Sequence, residues 1–138
     1  MSRNPTKLRV YHDAHGLVLA VFRYGETFPA SQRFVIRQQL YRAALSIVCN
    51  VVEGCARRTV GEYRHFVSIA LGSAREAAYL IDLSGELSYL PPAAVQDCRL
   101  RLPDRRRIVA ESCTGSGESR LASKTIGAAS LCPFALSH

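Results

Sequence analysis

The chain has no apolar run approaching the ~20 residues that a membrane-spanning helix requires, and its first residues contain no apolar segment of signal-peptide length. These absences make a cytoplasmic protein with no membrane partner the expectation. Its five cysteines, at 49, 55, 98, 113 and 132, form no C-x-x-C pair, and their number is odd. Neither a disulfide framework nor a zinc site is therefore indicated, and thiols within a helical pattern behave as small hydrophobes. No glycine-rich phosphate loop, H-E-x-x-H or G-x-S-x-G motif occurs. Tryptophan is absent, and most of the six tyrosines and five phenylalanines fall on apolar helical arcs. An interleaved aromatic platform for stacking bases is not legible, so sequence-specific base readout is not expected.

Acidic residues are also few. The formal net charge is +7, and residues 31–58 carry five arginines against one glutamate. A basic balance suits an anionic partner such as RNA or DNA. A solvated surface that only maintains solubility is the competing explanation.

What the chain has in abundance is helical periodicity. Apolar residues recur at helical spacing over four segments, 7–24, 31–57, 60–89 and 92–102, within a bundle unit of residues 1–102. Pro5 suits a first helical turn, Gly25 is a natural stop, and Ser31 can cap the second helix. Thr59-Val60-Gly61-Glu62 reads as a capping box opening the third helix. Gly54 and the Gly72-Ser73 pair suggest close helix approach. Pro91-Pro92 separates the third helix from the fourth, which then meets Pro103. Residues 103–138 read as irregular or flexible, with room for a short helix over 104–112. The expected fold class is all-α, an up-down four-helix bundle with a shortened or irregular fourth helix. A shortened fourth helix would leave apolar surface uncovered, which favours self-association.

The second and third segments carry complementary polar stripes. Arg42, Ser46, Asn50, Glu53 and Arg57 share one face, and Glu62, Ser73 and Glu76 share another. Folded as an antiparallel hairpin, Arg42 meets Glu76, Ser46 meets Ser73 and Arg57 meets Glu62. Buried charges need such partners. The stripe is then either a satisfied polar layer that sets register, or the lining of a channel or groove.

The pattern R-A-A-x-S-I-x-x-N-x-x-E-G from Arg42 to Gly54 is followed by a basic pair and then E-x-x-x-F-x-x-I-A-x-G-S-x-x-E from Glu62 to Glu76. Together they resemble the four-helix-bundle protein family known from open reading frames within 23S ribosomal RNA intervening sequences. That family also includes accessory proteins of diversity-generating retroelements. The resemblance covers about residues 7–95. It implies a small helical bundle, often a ring of five subunits. In the retroelement branch it implies a basic nucleic-acid-binding role and a reverse transcriptase as partner. The family pattern would continue a long amphipathic fourth helix where this sequence loses its period after 102, as an altered reading frame would produce.

Arg57 and Arg58, at the helix–helix corner, are the strongest candidates for contacting phosphate. Arg64, Arg37 and Arg33 could extend the patch, as could Lys7 and Arg9. Such contacts give affinity without sequence specificity. His12 and His15 share a helix face but lack a third ligand, so no metal site and no cofactor are expected. Arg58 followed by His65 resembles the ribonuclease motif of HEPN domains, a minor enzymatic alternative to a non-catalytic protein. The leading expectation is a homo-oligomer with weak nucleic-acid binding. A protein-docking scaffold is the alternative.

Overall fold

The computed structural model describes residues 3–113, and of these the side chains of residues 32, 33 and 110–113 are outside the description. Five α-helices account for most of it: α1 (Arg9–Tyr24), α2 (Gln38–Ala56), α3 (Val60–Glu86), α4 (Pro92–Arg101) and α5 (Arg105–Cys113). Among the described residues there is no strand, and no helix is long and apolar enough to cross a membrane. Residues 114–138 of the C-terminal segment expected to be irregular, Cys132 among them, lie outside the described residues.

The first three helices bury most of the stripe that their sequence period predicts, with Phe22, Leu45 and Val52 left exposed. Val10, Ala14, Leu17 and Val21 of α1 are inside, as are Leu40, Ala44, Ile47 and Val51 of α2. From α3 come Tyr63, Val67, Ala70, Ala74, Ala77 and Ile81. α2 packs on α1 and α3, while α4 and α5 each pack on α1 and α3, so the chain closes into a four-position bundle. Neighbours are antiparallel by their contacts. Near one end of the α1–α2 pair, the Phe22 and Tyr41 rings stack at 4.0 Å. Near the other, the Arg3 amide donates to the Cys55 carbonyl at 2.9 Å. Along α1, Tyr24 bonds Asp97 of α4 at 3.2 Å and Asp13 pairs with Arg107 of α5 at 2.6 Å.

The fourth position is thus shared. α4 ends at Arg101, Pro103 is buried in the break, and Asp104 restarts the helix by accepting from the Arg107 amide at 2.7 Å. Ile108 of α5 is 1% exposed. The fourth helix is therefore broken and resumed, over the 104–112 stretch expected to hold a short helix, and beyond residue 102 it buries Pro103 and Ile108.

Other local expectations need correction. Ser31 does not cap α2: it lies within a 3-10 turn, Ala30–Gln32, that leads through a π-helical stretch, Arg33–Arg37, into α2. α3 ends at Glu86, three residues before the expected limit. The Tyr89 amide donates to the Ser84 carbonyl at 2.8 Å and the Ser88 amide to Gly85 at 3.0 Å. With Ser88 at φ 58°, this is a Schellman stop built on a left-handed serine. Gly25, by contrast, stays right-handed at φ −60°. Its lack of a side chain serves packing, because a Cβ there would lie 1.7 Å from the Tyr41 hydroxyl and 2.6 Å from the ring carbon bearing it. Gly54 does mark a close approach, with its would-be Cβ 3.1 Å from that of Phe66. Gly72 does not, having nothing within 4 Å.

Of the cysteines whose side chains are described, Cys49 is exposed and Cys55 and Cys98 are buried. Burial, then the neighbouring Asp97, pushes the Cys98 thiol up to about 11, which keeps it protonated and inert at neutral pH.

These contacts set two glycines apart. Gly25→Ala should destabilise the fold by about 1–3 kcal/mol through overpacking against the stacked Tyr41 ring. Gly72→Ala should stabilise it by about 0.5–1 kcal/mol, since an open helical site gains only reduced unfolded-state freedom. Urea unfolding of the two variants beside the parent measures both signs.

Candidate nucleic-acid interface

The corner between α2 and α3 is built by two cap structures back to back. α2 stops where Arg57 turns extended, at φ −76° and ψ 149°, with its amide on the Gly54 carbonyl. α3 starts at Thr59, which also is extended. The Glu62 amide donates to the Thr59 hydroxyl oxygen at 3.2 Å, and the Thr59 amide donates to the Glu62 carboxylate at 3.3 Å. The Thr59 hydroxyl donates to the same carboxylate at 2.6 Å. These side-chain and backbone hydrogen bonds, aided by the charge of Arg57, hold Glu62 below its ordinary carboxylate range. Between the caps, Arg58 is exposed.

Arg57 pairs with Glu53 one turn back in α2, and its guanidinium sits 4.8 Å from the Phe66 ring centre. Its Nε is buried with no hydrogen-bond partner. A third arginine joins this corner. Arg3, tied down by its backbone bond to Cys55, lays its guanidinium 4.2 Å from the Tyr63 ring centre. Arg3, Arg57 and Arg58 together line a concavity of about 260 Å³. Gly54 and Tyr63 contribute to its walls. Arg3 was invisible to sequence reasoning because it precedes the first helix and belongs to no periodic pattern. Only its chain-reversing contact with the end of α2 brings it in.

The remaining basic candidates go elsewhere. Arg37 lies at the opposite end of α2, about 27 Å away at 1.5 Å of rise per residue. There its guanidinium contacts the Gly25 carbonyl at 3.4 Å and Glu26 at 3.5 Å, with its centre 5.5 Å from that of the Tyr41 ring. It clasps the α1–α2 connection. Arg33 is one turn before it, with its side chain outside the description. Arg33 and Arg37 therefore lie at the other end of α2 from Arg57 and Arg58. Arg64 is exposed on α3 and does not line the concavity. Its helical spacing to Leu71 and Arg75 places it on the α3 stripe that borders the α4–α5 break.

The polar stripe is bonded across the seam at its middle. The Ser46 and Ser73 hydroxyls meet at 2.8 Å, and Asn50 donates to the Ser46 carbonyl at 2.7 Å. At the ends the expected Arg–Glu pairs across the seam are replaced by other partners. Glu76 accepts from Gln39, although Arg42 shares a shallow depression with it. Arg57 turns to Glu53 and Glu62 to Thr59. Arg42, Glu53, Glu62 and Glu76 are all exposed. Water solvates these ends, so no buried charge demands a cross-helix partner.

The histidines are also placed. His65 is exposed, edge-on to Phe66, and does not line the concavity that Arg58 lines. His12 bonds the Thr6 carbonyl at 2.8 Å, and His15 stacks on Tyr11. Among the described residues, no three His, Cys, Asp or Glu side chains gather to hold a metal.

The family model for the 23S rRNA-intervening sequence protein matches residues 6–110. No curated protein matches the chain. The matched region runs from the turn before α1 into α5, so it contains both caps of the corner.

The capping box gives a pH signature. Because Glu62 is held below its ordinary value of 4.5 in the folded chain, its contribution is complete above that pH. It is lost as pH falls through the lower folded value. Amide exchange at residues 60–63 should accelerate, relative to mid-α3 amides, between pH 5 and acid. Thr59→Ala should remove most of that pH dependence, and an unchanged dependence would refute the assignment.

Proposed function

The chain belongs to the 23S rRNA-intervening sequence protein family, and from that premise we propose that it is a non-catalytic, self-associating helical bundle that binds RNA or DNA weakly and without sequence preference. The observation that carries this reading is the convergence of Arg3, Arg57 and Arg58 on one concavity at the end of the bundle. Guanidiniums suit phosphate because their planar forks bond oxygens in pairs. Two of the three have their guanidiniums over aromatic rings, which limits the conformational freedom lost on binding.

Self-association draws on a different surface. Among the described residues, one exposed apolar stripe runs along the α1–α2 seam. Leu19 is 54% exposed and Leu45 is 42% exposed. The antiparallel Phe22–Tyr41 stack places these two leucines side by side, one turn further along. Phe22 and Val52 extend the stripe. A second copy covering it would repeat the arginine corner in every subunit and raise the avidity of an individually weak site. A ring of five, as the family resemblance implies, is one such assembly.

The second reading, a docking scaffold that leaves nucleic acid untouched, draws on the same apolar stripe. A reverse transcriptase is the partner to try under it. Capture from the native cell extract with and without nuclease separates the two.

Two measurements test the main reading. For single-stranded RNA, each phosphate that the protein neutralises adds about 0.7 to the steepness of log affinity against log salt. Arg57→Ala with Arg58→Ala should therefore weaken binding and flatten that slope by about 0.7–1.4, whereas unchanged binding rejects the corner. Leu19→Glu with Leu45→Glu should lower the sedimenting mass to that of one subunit while far-UV helicity persists, and an unaltered mass rejects the stripe.

A further inference from the structure

We propose that the corner concavity is a receptor for a phosphate monoester, so that the protein holds the terminal phosphate of a strand in preference to the bridging phosphodiesters along it. The proposal rests on the nucleic-acid reading above and narrows it to one chemical group.

Charge supplies the first argument. The residues lining the concavity include three arginines and no acidic side chain. A bridging phosphodiester carries one negative charge and offers two non-bridging oxygens. A terminal monoester carries about 1.5–2 negative charges near neutral pH and offers three oxygens. Three arginines lining one space, with the Arg57 charge partly offset by Glu53, match the second group better than the first.

Shape supplies the second. The concavity lies at one end of the bundle, among the start of the chain, the end of α2 and the start of α3. Its volume of about 260 Å³ accommodates a phosphate with part of its sugar. A strand end enters such a space head-on. A bridging phosphate would have to bring chain both in and out.

The wiring of the corner supplies the third. The Thr59 hydroxyl is already committed to Glu62, so recognition falls to the arginines. Arg57 has a buried Nε with no hydrogen-bond partner, and its guanidinium is positioned by Phe66 and Glu53. Arg3 is positioned by Tyr63. The donors are thus arranged before any ligand arrives, which is the condition for discriminating between groups of similar chemistry.

The test uses the full chain and one 12-nucleotide single-stranded RNA in three forms, with hydroxyl ends, a 5′-phosphate or a 3′-phosphate, labelled at the opposite end and titrated by fluorescence anisotropy. A phosphorylated end should tighten binding at least threefold over the hydroxyl form. Comparing the 5′ and 3′ arms tells which terminus is held. Adenosine 5′-monophosphate should compete away that increment and shift the arginine Nε–H resonances. Arg58→Ala, at an exposed corner position, should abolish the increment while helicity is retained. Equal affinity for all three strands overturns the proposal and leaves general nucleic-acid binding standing. Saturable monophosphate binding with no strand bound supports the concavity and rejects the nucleic-acid reading. If neither strand nor monophosphate binds, both fall.

Discussion

The antiparallel seam between α2 and α3 is the constraint on which the rest of the structure depends. At its middle, the Ser46 and Ser73 hydroxyls bond directly, and Asn50 is anchored to the same turn. Toward its corner, Gly54 lets α3 approach until the Phe66 side chain is in near contact with the α2 backbone. The hydroxyl pair fixes register because a slip of one residue would leave half-buried polar atoms opposite apolar ones. The glycine fixes separation. With register and separation set, the corner between the helices has a single geometry, and Phe66 and Tyr63 become fixed supports for the arginines above them.

Much of this was legible in the sequence, and the reason is periodicity. Long helices with regular apolar stripes announce their own buried faces, so α1 and α3 could be drawn nearly to their limits and α2 to its C-terminal end, while its first turns are 3-10 and π-helical. The Ser46–Ser73 contact followed from register alone. The Thr59–Glu62 box was equally readable, because a local hydrogen-bond pattern needs no tertiary information. What escaped was whatever depends on competition between partners. The charged ends of the polar stripe looked like cross-helix ion pairs, yet Glu53 takes Arg57 of its own helix, Glu62 its local cap, and Glu76 a neutral amide, Gln39, across the seam. Gly25 looked like a left-handed stop, yet its conformation is ordinary and the Tyr41 ring sets its requirement. Arg3 lay outside every pattern.

The candidate site was legible by half. Arg57 and Arg58 were marked by their place between two helical periods. Arg33 and Arg37 were grouped with them because charge was counted along the chain, whereas a long helix carries its two ends far apart. Arg37 shows the consequence. A carbonyl, a carboxylate and a ring engage it at the far end of the bundle, so its charge belongs to the architecture. Counting arginines along the chain thus joins charges that the fold places at opposite ends of α2.

The divided fourth position has a dynamic consequence. α5 has its own cap at Asp104, its own buried anchor in Ile108 and a tie to α1 through Arg107 and Asp13. Pro103 removes the hydrogen bond that would couple it to α4. Nine residues held in this way dock on α1 and α3 through contacts of their own, and segmentation of this kind predicts that α5 opens locally ahead of the hairpin that shapes the arginine corner.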